Sequence, residues 1–172
     1  MNRRSVITAL SLAPFARSAT STAAERKKFI GMWKLISGES KDQVSGKVLY
    51  PWGKNPFGRL LYDEAGRVFV QLMNPGRRSV GGISNRGAAA AIASSSADDM
   101  RAMLTGFNAY FGTFDVDQAA GSVIHHLQSA LIPSWVGTDQ RRRYEFSAAG
   151  ELIILNTASG ADYKLVWKRD DQ

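Results

Sequence analysis

Nine short segments of period-two hydrophobic alternation, several set off from the next by glycine, constrain this chain to a β architecture. They fall at residues 33–40, 46–50, 58–63, 68–73, 112–117, 122–131, 141–146, 151–157 and 163–168. Successive side chains of a strand point to opposite faces, so Val68, Val70 and Leu72 share one face of their segment and Phe69, Gln71 and Met73 the other. Asp63-Glu64-Ala65-Gly66 supplies a tight hairpin loop between two segments. Short strands at this regular spacing predict a mainly β fold, a single antiparallel barrel of about eight to nine strands. A sheet closed on itself needs no partner to cover its edges, so a monomer is the expected state.

The alternation is interrupted once. Residues 74–96 carry Pro75-Gly76, Gly81-Gly82, Gly87, a run of alanines and Ser94-Ser95-Ser96, which predicts a lid-like connection, with residues 88–93 able to form a turn or two of helix. Ser96 reads as the N-cap of one inserted helix running to about Phe111, because Asp98 and Asp99 fall in its first turn, where the helix dipole favours acids. Met100, Met103, Leu104, Phe107 and Phe111 would form its apolar stripe.

Residues 1–24 stand apart from this domain, which occupies residues 25–172. Arg3-Arg4, an apolar stretch over residues 6–16 and small residues through Ala24 predict an export leader of the twin-arginine type, and hence a periplasmic or secreted protein. The apolar stretch is shorter than the roughly 20 residues a bilayer span requires, and Thr8, Ser11 and Pro14 weaken it further. No membrane span is expected once the leader is removed. The leader holds three arginines and no acid, so its loss takes the formal charge from +7 to +4. With zero cysteines there is neither a disulfide nor a thiolate, and the fold must hold by packing alone.

Several longer runs carry a resemblance: Gly31-Met32-Trp33, Tyr110-Phe111-Gly112-Thr113-Phe114-Asp115-Val116-Asp117, Val123-Ile124-His125-His126, Pro133-Ser134-Trp135-Val136-Gly137-Thr138-Asp139-Gln140 and Leu165-Val166-Trp167-Lys168-Arg169. In this order and spacing the chain resembles the bacterial and fungal lipocalin-like domain family over about residues 28–169. The resemblance implies a calycin-type barrel with a cavity, a helix inserted mid-barrel, and no assigned reaction. It also implies that Trp33 closes one barrel end beneath Arg169 as a cation on an aromatic face.

Candidate chemistry is sparse. His125 and His126, the only histidines, are neighbours on a strand and must face opposite ways, so they cannot share a metal or a pocket. The bulk of Val123 and Leu127 on its face favours His125 as the inward one, where it is a candidate acid or base. Alternation likewise separates Arg142 from Arg141 and Arg143 and sets it on one face with Tyr144 and Phe146, either inward, where its planar fork suits a ligand carboxylate, or as one of three solvated cationic tips. Tyr62, Tyr110 and Trp135 combine apolar area with a polar tip and are the expected aromatic lining. No metal site, cofactor or nucleic-acid interface is expected, and no nucleophile elbow, phosphate loop or dinucleotide fingerprint is present. Three readings follow: a carrier of a small, largely apolar molecule, a cofactor-independent isomerase, cyclase or hydratase using His125, and a ligand-free barrel acting through its surface.

Overall fold

The computed structural model describes residues 23–78, 90, 93 and 95–170. All but the last two residues of the export leader expected over residues 1–24, and most of the lid-like connection, lie outside the described residues.

Nine strands form one antiparallel sheet: β1 (Gly31–Asp42), β2 (Val48–Leu49), β3 (Phe57–Tyr62), β4 (Arg67–Met73), β5 (Phe107–Asp117), β6 (Ser122–Ala130), β7 (Asp139–Phe146), β8 (Leu152–Ala158) and β9 (Ala161–Arg169). Consecutive strands from β3 onward are neighbours, and β1 pairs with both β3 and β9, so eight strands close into a barrel and β2 is an extra strand on the far end of β1. The second segment is thus shorter than its sequence pattern predicts, because only Val48 and Leu49 find partners, on Lys41 and Ser40.

The inserted helix α1 (Ala97–Leu104) starts where expected. The Ser96 hydroxyl accepts from the Asp99 backbone N–H and the Asp99 carboxylate reaches back to Ser96, a reciprocal capping box. Its end differs from the sequence expectation. Thr105 leaves the helical region, Gly106 takes a left-handed φ of 71°, and from Phe107 the chain is strand. The run 107–111 pairs with Met73–Phe69 of β4, and this ladder outweighs the helical spacing of Phe107 and Phe111.

Alternation then decides what lies inside. Val68, Val70 and Leu72 are buried while Phe69 on the opposite parity is exposed. At one end the interior is sealed by Phe29, which lies between the short N-terminal helical turn and β1, and by Trp33. Phe29 meets Tyr62, Tyr144 and Phe146 edge-on at ring separations of 5.3, 4.8 and 5.3 Å. Trp33 donates its indole N–H to the Phe29 carbonyl at 2.7 Å and lies under the Arg169 guanidinium at 4.4 Å. Rings of this size each bury about 150–250 Å², worth up to about 4–6 kcal/mol apiece.

Candidate functional site

The interior midway along the barrel is set by four inward positions from four strands. His125 on β6 is 0% exposed, with Val123 and Leu127 on its own face. Its Nε2 lies 2.7 Å from the Tyr62 hydroxyl on β3, and its Nδ1 lies 2.9 Å from the Tyr110 hydroxyl on β5. Arg142, inward on β7 by the parity that sends Arg141 and Arg143 outward, brings Nη1 to 3.5 Å from the same Nδ1 and donates to the Gln140 carbonyl at 3.0 Å. Its guanidinium also stands 5.5 Å from the centre of the Tyr110 ring.

Charge orders this cluster. Burial foremost, then the Arg142 charge and His126, hold the His125 imidazolium well below its ordinary range, so the ring is neutral. A cation beside Nδ1 favours a lone pair there, which places the ring proton on Nε2, donated to Tyr62, and leaves Nδ1 to accept from Tyr110. Burial likewise pushes both tyrosine hydroxyls up, Tyr62 furthest, with Arg142 pulling partly back. Both phenols are therefore neutral. Arg142 is 9% exposed and has no carboxylate within ion-pair distance among the described residues.

Beside this cluster opens a cavity of about 370 Å³. It is walled by Leu60, Val70, Leu72, Ile154 and Leu165, with Trp52, Tyr110 and Trp135 adding aromatic surface. Trp167 pairs with Leu152 toward the sealed end, whereas Ser159, which also lines the cavity, belongs to the β8–β9 turn, so the long axis follows those two strands. Two buried polar atoms, the Trp167 indole Nε1 and Asn108 Oδ1, have no partner among the described residues, and both residues line the cavity.

Of the residues singled out in the sequence, Tyr110, Trp135 and Arg142 line this space. Tyr62 and His125 do not: they sit behind Tyr110, between the cavity and the aromatic seal. Trp33 and Arg169 meet at the sealed end. Asn108, Gln140, Trp52 and Trp167 contribute to the lining without having been singled out as ligand contacts, and Phe29 was equally unmarked in the seal. Among the described residues no group of three histidines or carboxylates is arranged to hold a metal ion.

His126 faces the outside and bridges Asp139 at 2.6 Å and Asp115 at 3.0 Å. The Asp139 bond first, with Asp115 adding and partial burial opposing, raises its pKa above the ordinary value. A histidine held more basic when folded stabilises fully below its unfolded value of about 6.5, and this contribution fades as pH rises through the folded value. His126→Gln is therefore expected to lower the melting temperature most near pH 5.5 and least near pH 9, and thermal melts of both proteins across that range check it.

No helix among the described residues is long and apolar enough to cross a membrane. A search of curated proteins finds no match to the chain. A family model described as a lipocalin-like domain matches residues 30–170, which spans every strand of the barrel and all the cavity-lining residues and begins one residue after Phe29 of the seal. On that match, with a closed eight-strand antiparallel barrel beneath it, the chain belongs to the lipocalin-like domain family.

Proposed function

We propose that this protein is an exported carrier that holds a small, largely apolar molecule inside its barrel. The observation that carries the reading is the cavity itself: about 370 Å³, mostly apolar in its walls, with a few polar groups facing in, which lies within the range of about 300–1,000 Å³ common to small-molecule sites. The family's barrel supports binding in the same way. Export rests on the Arg3-Arg4 leader pattern, and N-terminal sequencing of the protein recovered from the periplasm or medium tests it.

Catalysis by His125 finds less support, since a general acid or base must reach the reacting atom and this imidazole lies outside the lining with both nitrogens engaged by tyrosines. The surface reading has one observation in its favour. Phe69 and Phe111 stack at 5.8 Å on the outer face of β4 and β5 and are each about two-fifths exposed.

Binding of the neutral fluorophore N-phenyl-1-naphthylamine separates the carrier from the surface reading. One equivalent is expected to bind, and Leu72→Trp or Ala158→Trp, which fill the middle and the mouth of the cavity, should each weaken it at least tenfold, whereas Phe69→Ser leaves it unchanged. The opposite pattern places binding on the outer wall and ends the carrier reading.

A further inference from the structure

Arg142 is the feature of the interior that the carrier reading leaves unexplained. An isolated charge in an apolar interior is costly unless paired, and breaking a buried pair is far more damaging than never having built one. Here the guanidinium touches only neutral groups: the Gln140 carbonyl, the His125 ring nitrogen and the face of Tyr110. A guanidinium offers five N–H donors, more than these neighbours take up. Trp167, 1% exposed and lining the same cavity two strands away, presents an indole N–H with no acceptor among the described residues. Two buried polar groups of the lining are thus donors with spare capacity, beside one acceptor, Asn108 Oδ1, that also has no partner among the described residues.

The surroundings are built to keep that charge uncompensated from within. No carboxylate among the described residues lies within ion-pair distance, and the neighbouring His125 and Tyr110 are held neutral by burial. Carboxylates of the flanking strands face the outer wall: Asp117 pairs with Arg141, and Asp115 and Asp139 with His126.

Resting on the carrier reading, we propose that the molecule carried is an amphiphilic anion, a small carboxylic acid whose apolar body lies along Leu60, Val70, Leu72, Ile154 and Leu165 and whose carboxylate pairs with Arg142. The carboxylate supplies the counter-charge the interior lacks and accepts the guanidinium's free N–H groups in a fork-to-fork pair. No proton moves and no bond is made: the ligand arrives ionised and leaves so. The sealed end beyond Trp167 keeps water from the far side of the site, so the pair forms in a medium of low polarity, where it discriminates strongly between an acid and a neutral analogue.

The test displaces N-phenyl-1-naphthylamine from the full chain with decanoate, 1-decanol and decylammonium, which share one apolar body and differ in head group, each kept below its aggregation concentration. Decanoate is expected to bind about ten- to a hundredfold more tightly than decanol, the worth of a hydrogen-bonded charge pair, and decylammonium most weakly. Arg142→Gln should abolish the preference for decanoate over decanol, read as the ratio of the two affinities within the same variant, with Arg142→Met as a second variant should the first not fold. Decanoate binding no better than decanol, a preference that survives in either folded variant, or no displacement by any of the three overturns the anion. The carrier reading fails separately: if cavity-filling variants leave the fluorophore bound, the barrel interior is not its site, whatever the head-group order.

Discussion

Replacing His125 by Leu is expected to cost the fold about 2–4 kcal/mol, because it removes one partner from each of two buried hydroxyls at once. Tyr62 is fully buried and Tyr110 nearly so, and among the described residues the imidazole is the hydrogen-bond partner of each hydroxyl. Most of the loss is desolvation left unpaid rather than contact removed, since Leu fills a similar volume. Adding Tyr62→Phe to His125→Leu should then recover part of the loss, a result no simple packing argument gives. Urea unfolding of the two single variants and the double checks this. A His125→Leu cost below about 0.5 kcal/mol, or no recovery in the double, shows that the cluster does not stabilise the barrel.

The same residue has a pH signature. Its folded pKa is depressed, so its contribution is present above the unfolded value of about 6.5 and is lost as pH falls below it. His126 works in the opposite direction over the same range, so the acid limb of His125 is read most cleanly in a His126→Gln background. There, stability should decline from about pH 6.5 downward, and the decline should vanish on adding His125→Leu.

The second large effect is expected at the sealed end, where Trp33→Ala should destabilise by about 3–5 kcal/mol, the usual cost of emptying a buried aromatic site. Trp33 is joined to the fold by more than its area. Its indole N–H holds the Phe29 carbonyl, and Arg169 above it donates to the carbonyls of Ile30 and Lys28, both at 2.7 Å. The guanidinium thus pins the segment that carries Phe29 into the sealed end of the barrel. Arg169→Met should cost about 1–2 kcal/mol, and the double variant less than the sum, by the roughly 0.5–1 kcal/mol of the cation and ring contact. Chemical denaturation of the four proteins gives the coupling, and strict additivity shows that the stacked pair contributes nothing.

Parity along a strand was the most informative signal in the sequence. It put Val68, Val70 and Leu72 inside, separated Arg142 from its two arginine neighbours, and set His125 apart from His126. What parity does not carry is depth. Whether an inward residue meets the seal, the cluster or the cavity depends on the stagger between strands, which is why Tyr62 and His125 read as ligand contacts although they lie behind Tyr110. Asn108 was hidden for another reason: the helical spacing of Phe107 and Phe111 drew it into a helix, and the turn at Gly106 that ends the helix outweighs that spacing only once β4 is there to pair with. Phe29 lies before the first alternating segment, and nothing local distinguishes it from any residue of a charged lead-in. The Trp167 N–H lacks a partner for reasons no single-strand pattern expresses.

The seam between β1 and β9 joins the two ends of the domain, Asp42 with Ala161 and Trp33 with Arg169, a far longer sequence separation than any other barrel pairing spans. Such contacts carry the highest chain-entropy cost and repay it last, so ring closure is the slow event of folding for this topology. Until β9 arrives, β1 and β8 are open edges, the cavity has no far wall and Trp33 has no Arg169 above it. The enclosed cavity and protection from edge-to-edge association are therefore expected to come into being together, when β9 joins β1.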